Sequence, residues 1–505
     1  RTVFRLGKHH HLILALFLPN VPRWDPVIMS SGAYLYADMY SEQADALGGD
    51  VEDAVKVYGQ LLYHEEGVVT TVTVRQARDE LYLQANGKTE ASTGPDMKTQ
   101  KLLAHVPMML NEDPGSVLVI GLASGVTVGA AEKYDVELID CVEIAPAMIE
   151  VARTFFAEAN DHCLEDPRVN IIVEDGRNHV AFTDQRYDVM ISQPSNPWIA
   201  GISNLFTREF FELARERMNP GGVVGFWFQA YNMAPDEFRM IVNTFGDVFE
   251  HTSLWELDPG VDYMLVGTLD ATTIDYDLLT ARLADDSIGS DLLSIGVDEA
   301  LDYTGLFVFG PTRVDDYAAG APIHTDDNLK LEFSAPRSMH RRSKAEQLDA
   351  LAPHRVSPAS LLVNLPEGEE GESLAEAVTA RGRARALLAR GLAANERGEL
   401  QAALDSYMLA ASESPGESEV VEAASMLLCQ VGTGQAQAGR EEEAVRYFEA
   451  ATELAPGLPQ PRCLLGASYM RLGLLEEARA ELELALELDP SYGDAYYNLG
   501  LLFGE

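Results

Sequence analysis

Short apolar runs alternate with amphipathic stretches through the middle of this chain, and the alternation predicts strands and helices in turn. Runs typical of strands cover residues 117–120, 169–176, 187–191, 223–229 and 263–267, and one more closes on Glu143. Stretches with helical spacing of apolar residues lie at 97–110, 146–159, 207–218 and 235–245. This order predicts an α/β domain built on a sheet of parallel strands. Two further strand-like runs, at 68–74 and 80–84, predict a small β unit that lies over the mouth of that domain.

The first strand, turn and helix of this domain have the pattern of a nucleotide-binding unit. The run that ends at Ile120 is followed by a turn with glycines at Gly121 and Gly125, and the next strand closes on Glu143. Glycines let the backbone approach a ligand, and an acid at the end of the second strand suits two ribose hydroxyls. The following strand ends at Asp175-Gly176, where open α/β sheets also bind ligands.

Beyond residue 380 the composition shifts to Ala, Leu and Glu, and a repeat appears. Gly391, Gly432, Gly466 and Gly500 are spaced 41, 34 and 34 residues apart, and alanines and prolines recur in the same phase. A period of 34 residues with small residues at close-packing points resembles tetratricopeptide repeats. Such repeats stack helix pairs around a concave surface, so we expect this array to bind a protein or peptide partner. A purely structural role remains the alternative.

The charge of the chain excludes some classes of partner. Eighty acidic residues oppose 37 basic ones, which gives a formal net charge of −43. Repulsion from phosphate therefore disfavours nucleic-acid binding. The four cysteines are far apart and show no metal-binding spacing, so we expect a reducing, cytoplasmic location and no metal.

Residues 67–267 resemble the spermidine synthase (polyamine aminopropyltransferase) family. The resemblance is strongest to bacterial spermidine-synthase-like proteins, through the text PSNPWIAGISNLFTREFF at 194–211 and TDDNLKLEFSAPR at 325–337. It implies a Rossmann-like fold of the S-adenosylmethionine-dependent transferases, with an N-terminal β unit and a C-terminal helical repeat array. The family uses decarboxylated S-adenosylmethionine and transfers its aminopropyl group to a small-molecule amine. Related proteins often follow a block of membrane helices, so such a block upstream of residue 1 is part of the expectation, as is a homo-oligomer.

With this resemblance the chain divides into six expected segments. They are an N-terminal extension (1–59), a small β unit (60–95), a Rossmann-like nucleoside-binding core (96–270), a family-specific extension (271–340), a linker (341–380) and tetratricopeptide repeats (381–505).

The nucleoside half of the family pattern is kept. Gly121 and Gly125 match the glycine-rich turn, and Glu143 matches the acid that binds the ribose. Asp175 and Gly176 match the pair that contacts the adenine amino group. The simpler role for Asp175 is to cap the next helix. The resemblance therefore implies binding of decarboxylated or intact S-adenosylmethionine.

The amine half of the pattern is altered. Ser124 stands where the family has an amine-binding acid, the catalytic aspartate falls on Gln193, and a second acid falls on Asn196. An amine that arrives as ammonium must lose a proton before it attacks, and a glutamine cannot accept one. We still assign Gln193 and Asn196 to the catalytic side. Four other carboxylates could substitute for the lost acids: Asp96, Glu209, Asp326 and Asp327.

Two alternative functions remain at this point. The Gln193-Pro194 and Asn196-Pro197-Trp198 text also resembles the Asn-Pro-Pro-Tyr loop of amino methyltransferases, which orients an amine through carbonyl groups under an aromatic ring. The chain would then methylate an amine with intact S-adenosylmethionine. The third function is a non-catalytic nucleoside-binding scaffold whose output is the repeat array.

Overall fold

The computed structural model describes residues 24–57 and 59–504. The expected N-terminal extension over 1–59 therefore lies in part outside the described residues. Its described part forms three helices: α1 Pro26–Met29, α2 Ala33–Leu47 and α3 Val51–Val57. No helix in the described ranges is long and apolar enough to cross a bilayer.

A small antiparallel sheet precedes the main domain, as the sequence predicts, but it has four strands. They are β1 Gln60–Glu66, β2 Thr71–Ala77, β3 Glu80–Ala85 and β4 Lys88–Ser92, paired in that order. Asn86 and Gly87 form the tight turn between β3 and β4, and both have positive φ angles of 51° and 83°. This turn brings the start of β4 over the main sheet.

The main sheet has eight strands in the order β13-β10-β11-β9-β8-β5-β6-β7. The strands are β5 Ser116–Ile120, β6 Leu138–Glu143, β7 Val169–Val173, β8 Tyr187–Ser192, β9 Met218–Gln229, β10 His251–Asp258, β11 Asp262–Thr268 and β13 Phe307–Phe309. Residues of β5 alternate between two cores: Val117 and Val119 pack on one face of the sheet, and Leu118 and Ile120 on the other. The Rossmann-like α/β fold is therefore confirmed.

One half of this sheet is antiparallel, which the sequence did not predict. Strands β5 to β9 run parallel, whereas β11 pairs antiparallel with both β9 and β10. Only the short turn from Pro259 to Val261 joins β10 to β11. A parallel pair needs a crossover of a dozen residues or more, so this connection permits only a hairpin. The hairpin places Asp258 and Asp262 on either side of its turn.

Helices cover both faces of the main sheet. Before its first strand lies α4 Met97–Leu110, and between later strands lie α5 Val126–Ala131, α6 Pro146–Thr154, α7 Gly176–Phe182, α8 Arg208–Glu216 and α9 Pro235–Gly246. The sequence prediction gives α4 with the same bounds, and it places the end of α6 five residues too late.

The expected extension and linker are both folded. They contain α10 Tyr276–Leu283, α11 Asp286–Leu293, α12 Ala300–Gly305, α13 Pro311–Ala318, α14 Lys330–Ser338 and α15 Lys344–Leu351, and a short pair of strands, β12 Ile274–Asp275 and β14 Leu362–Val363. Within the segment expected to be a linker, Leu348 of α15 is fully buried against Ala389 and Ala393. This contact joins the main domain to the repeats directly.

The C-terminal part consists of successive antiparallel helix pairs. It contains α16 Glu369–Glu396, α17 Leu400–Glu413, α18 Ser418–Gln437, α19 Glu441–Leu454, α20 Pro459–Leu472, α21 Leu475–Leu488 and α22 Gly493–Phe503. The recurring glycines lie where helices pack closely: a Cβ on Gly432 would lie 2.6 Å from the Phe448 ring. The first pair begins earlier than predicted, because α16 extends back into the expected linker.

Candidate functional site

Two adjoining cavities open at the carboxyl edge of the parallel strands. One has a volume of about 480 Å³ and lies over β5, β6 and the start of α7, and we call it the nucleoside cavity. The other has a volume of about 470 Å³ and lies between β4, α4 and the β10–β11 hairpin, and we call it the acidic cavity. Four residues line both cavities: Glu90, Ala123, Gln193 and Pro194. These four residues form the junction between the cavities.

The glycine turn after β5 shapes the floor of the junction. Gly121 has a φ angle of +92°, and a Cβ at this position would lie 2.9 Å from the Gln193 carbonyl oxygen. Ala123 also has a positive φ angle of 47°, which costs energy for a residue with a side chain. Such a strained residue between two cavities is typical of a functional turn.

Glu143 lines the nucleoside cavity at the end of β6. The backbone N–H of Leu122 donates to its Oε2 at 3.0 Å, and that of Ala145 donates to its Oε1 at 2.8 Å. Burial raises the pKa of this carboxyl above its usual value, and these backbone donors oppose the shift. Each oxygen retains a lone pair that could accept a sugar hydroxyl.

Asp175 and Gly176 line the same cavity at the start of α7. The Asp175 Oδ1 accepts from the backbone N–H of Asn178 at 2.9 Å, so this residue does cap the helix. Among the described residues, no hydrogen-bond donor contacts its Oδ2, which remains available to a ligand amino group. The cap and the proposed adenine contact are therefore compatible.

Two of the predicted cofactor residues lie behind the cavity wall. Ser124 is buried, and its hydroxyl contacts the Gln100 side-chain oxygen, while Gly125 begins α5 with a φ angle of +86°. Neither residue lines either cavity. The serine therefore fixes Gln100, which does line the acidic cavity.

Gln193 lies at the junction and is held on both sides. The Thr127 hydroxyl donates to its Oε1 at 2.8 Å, and its Nε2 donates to the Gly121 carbonyl oxygen at 2.6 Å. The amide is thereby fixed across the glycine turn, with one lone pair of Oε1 left for a ligand.

Asn196 lies deeper than predicted. It is fully buried and lines neither cavity, and its Nδ2 donates to the Tyr231 hydroxyl at 3.3 Å. Tyr231 lines the acidic cavity and packs edge-on against Trp198, with 6.1 Å between ring centroids. Asn196 can therefore act on a ligand only through Tyr231.

The acidic cavity takes its name from three aspartates among the residues that line it. Asp96 lies just before α4, and Asp258 and Asp262 come from the hairpin. Asp262 accepts from the Thr99 hydroxyl at 3.0 Å and from the Trp227 indole N–H at 3.2 Å. Burial raises the pKa of Asp262 to about 7, with a further contribution from Asp258. Burial likewise raises the pKa of Asp258 to about 6.

The junction side of the acidic cavity carries an ion pair. Lys88 is almost fully buried and pairs with Glu90 at 2.9 Å, and Glu90 also accepts from the Ser195 hydroxyl at 2.7 Å. The carboxylate beside Lys88 raises the pKa of that ammonium despite its burial. Because this pair is neutral, the three aspartates set the sign of the cavity. It suits a cation.

Of the four carboxylates suggested as substitutes, the structure places Asp96 at the acidic cavity. Asp326 instead pairs with Arg177, which lines the nucleoside cavity, at 2.5 Å. Glu209 accepts from the Asp326 backbone N–H at 3.0 Å, and Asp327 is exposed and lines neither cavity. The described residues hold no group of three or more His, Cys, Asp or Glu side chains arranged to bind a metal.

Sequence reasoning missed Glu90, Asp258 and Asp262. Each is a single acid without a motif in an acid-rich chain. A weak signal existed for the hairpin, because Asp258 and Asp262 flank a Pro-Gly turn between two apolar runs.

Comparisons with known proteins concern this same region. Residues 97–255 match the family model of the spermine/spermidine synthase domain. We therefore call the α/β domain that contains these residues the synthase domain, after the family model that it matches. Residues 469–505 match a model of the TPR repeat, so the synthase domain is followed by tetratricopeptide repeats, as the sequence predicts.

Curated relatives of the synthase domain are similar over part of their length. A polyamine aminopropyltransferase of Aeropyrum pernix is 31% identical over 183 residues, which are 35% of this chain and 58% of the relative. One of Escherichia fergusonii is 29% identical over 194 residues, or 37% of this chain and 67% of the relative. The solved spermidine synthase of Thermotoga maritima is 23% identical, with a TM-score of 0.38 over 42% of this chain and 73% of that one.

Proposed function

We propose that this chain transfers the aminopropyl group of decarboxylated S-adenosylmethionine to a small amine. The observation that carries this proposal is the junction: a cavity with nucleoside-binding side chains meets an acidic cavity at Gln193 and Glu90. The similarity of the synthase domain to polyamine aminopropyltransferases supports the same reaction.

Glu143 and Asp175 would hold the nucleoside. Glu143 would accept the ribose hydroxyls through its free lone pairs, and the free Oδ2 of Asp175 would accept the adenine amino group. The turn from Gly121 to Ala123 would then lead the sulfonium end to the junction.

The carboxylate at the junction favours the decarboxylated donor. Glu90 lines both cavities, whereas its partner Lys88 lines the acidic cavity and not the nucleoside cavity, so a ligand in the nucleoside cavity meets the carboxylate. The α-carboxylate of intact S-adenosylmethionine would meet Glu90 here and be repelled, whereas a sulfonium with an aminopropyl arm would be attracted.

The acceptor amine would occupy the acidic cavity and pass a proton to Asp262. A base with a pKa near the working pH is the most effective, and Asp262 has a pKa of about 7. The neutral nitrogen then forms a bond to the methylene carbon beside sulfur. The carbon–sulfur bond breaks, and its electron pair stays on sulfur as a neutral thioether.

The predicted catalytic pair would position the substrates. The remaining lone pair on Gln193 Oε1 would accept an N–H of the attacking amine, which points the nitrogen lone pair at the carbon. Asn196 would hold the Tyr231 ring against the acceptor. Neither residue would take the proton.

The repeats would serve a separate role. The array carries a cavity of about 640 Å³ lined by both polar and apolar side chains, Asn395, Gln430 and Met426 among them. We propose a protein or peptide partner for this surface, as is general for such arrays.

Calorimetry with the two donors tests the nucleoside half of the proposal. We expect decarboxylated S-adenosylmethionine to bind at least tenfold more tightly than the intact form, because of the repulsion at Glu90. We expect Glu143→Gln to weaken the binding of both donors by roughly tenfold or more, since a hydrogen bond to a charged group contributes about 1.5–3 kcal/mol.

Glu237→Gln is the matched control, because Glu237 is a buried acid that caps α9 and lines neither cavity. Tighter binding of intact S-adenosylmethionine would favour the methyltransferase instead. Binding of a donor without consumption of any amine would favour the scaffold, and binding of neither donor would contradict both enzymes.

A further inference from the structure

The repeat array reaches the synthase domain through a pair of opposite charges. Lys98, in the first turn of α4, forms an ion pair with Glu419, in the first turn of α18. The residue after Lys98 is Thr99, whose hydroxyl donates to Asp262 in the acidic cavity. The first repeats therefore contact the same helix end that forms a wall of the cavity.

Lys98 lies between two carboxylates, one in the array and one in the cavity. The charged groups around Asp258 include Lys98, Glu419, Lys344, Glu256 and Asp262. Lys344 pairs with Glu396 of α16 at 3.3 Å. Lys98 pairs with Glu419, and it directly precedes Thr99, whose hydroxyl contacts Asp262, the residue opposite Asp258 in the hairpin.

The network around Glu256 and Glu419 is held by buried arginines. Glu256 contacts Arg355 and accepts from the Tyr263 hydroxyl at 2.6 Å. Glu419 contacts Arg385, a buried side chain that also pairs with Glu417. The arginine and lysine together lower the pKa of Glu419 to about 2, so this carboxylate stays charged.

We infer that Glu419 is a positioning residue for the acceptor amine: by holding Lys98, it leaves the Asp258 carboxylate free to bind the ammonium group. Without Glu419, the Lys98 ammonium would turn to Asp258 and neutralise it. The cavity would then lose one of its negative charges and attract a cation less. This inference rests on the proposed function, because it assumes that an amine occupies the acidic cavity.

Putrescine binding to the donor-saturated full chain, measured by calorimetry, tests this inference. We expect Glu419→Gln to raise the dissociation constant for putrescine about tenfold, which is the effect of losing one charged contact. Donor affinity should stay unchanged, because Glu419 lies outside the nucleoside cavity.

The decisive variant removes the lysine as well. In the double variant Lys98→Met with Glu419→Gln, Lys98 can no longer compete for Asp258 and Lys344 stays paired with Glu396, so putrescine affinity should return to within about twofold of the unaltered chain. A merely structural role for the ion pair predicts the opposite, since the double variant loses both partners. Failure of Lys98→Met to restore binding would overturn the inference.

Glu481→Gln is the matched control, because it breaks the Arg462–Glu481 pair of 3.0 Å inside the array, away from the synthase domain. Putrescine affinity should not change in this variant. A loss equal to that of Glu419→Gln would also overturn the inference. If the unaltered chain bound the donor and no putrescine, the proposed amine site and this inference would both be contradicted, whereas putrescine binding that is unaffected by Glu419→Gln contradicts the inference alone.

Discussion

At the scale of single residues, Asp262 is the proposed proton acceptor, and its titration should appear in the rate. The carboxylate must be ionised to take a proton, and its pKa is about 7. We therefore expect kcat/KM for the amine to rise as the pH passes through about 7. Asp262→Asn should lower the rate by roughly 100-fold or more and remove this rise.

Asp258→Asn gives the comparison for that experiment. The Asp258 charge helps to raise the pKa of Asp262, so its removal should move the rise in rate to lower pH and should not abolish it. An unchanged pH profile in Asp262→Asn would show that another group takes the proton.

The same residue should make stability depend on pH in a known direction. The pKa of Asp262 is raised from 3.8 to about 7 on folding, so the folded state keeps a proton that the unfolded state has released. Stability is therefore lost as the pH rises from about 4 to about 7, by on the order of 4 kcal/mol at most, and is constant above that range. Thermal melts of Asp262→Asn should show a shallower loss over this window and a higher Tm at pH 8. An equal slope in both proteins would contradict the assigned shift.

The sequence revealed part of the site at this scale. Glu143 and Asp175 end or follow strands of the nucleotide-binding unit, so local pattern and chain order predict where they lie. Asp262 acquires its unusual pKa from burial beside Trp227 and Asp258, which depends on tertiary packing. Ser124 and Asn196 match motif positions of the family, but neither residue lines either cavity. A motif match does not show whether a side chain reaches the surface of a cavity.

At the scale of elements, the β10–β11 hairpin carries carboxylates near the junction, whereas the loop after β8 carries the amides Gln193 and Asn196. The loop presents Gln193 at the junction, and the hairpin presents two carboxylates in the acidic cavity. Strand alternation predicted β5 to β9 well, because each has its own apolar run. It could not show that β11 inserts between β9 and β10, since the order of strands is set by pairing across the sheet.

The glycines of α18 offer a test of the repeat packing. A Cβ on Gly432 would lie 2.6 Å from the buried Phe448 ring, whereas a Cβ on Gly434 would meet nothing within 4 Å. We expect Gly432→Ala to destabilise the chain by about 1–3 kcal/mol through overpacking. Gly434→Ala should stabilise the chain by up to about 1 kcal/mol, because alanine favours helix. Denaturant unfolding followed by circular dichroism measures both, and equal effects of the two substitutions would contradict this packing.

At the scale of the whole molecule, the synthase domain and the repeats are in direct contact. Leu348 packs on α16, and Lys98 pairs with Glu419, so the array adjoins the helix end that lines the acidic cavity. The period of the glycines predicted the repeats, but nothing in it could predict which face of the synthase domain they contact. The segment expected to be a linker contains α15 because its leucines meet an apolar partner only in the folded chain.

The central claim is that the hairpin carboxylates Asp258 and Asp262 bind the acceptor amine and take its proton, which the amides of Gln193 and Asn196 cannot do. Mass spectrometry of reactions with decarboxylated S-adenosylmethionine and putrescine tests it most directly, in the unaltered chain and in the double variant Asp258→Asn with Asp262→Asn. The unaltered chain should yield the aminopropylated amine, and the double variant should bind the donor normally and form at most about one hundredth as much product in the same time. Equal product from both proteins would contradict the claim.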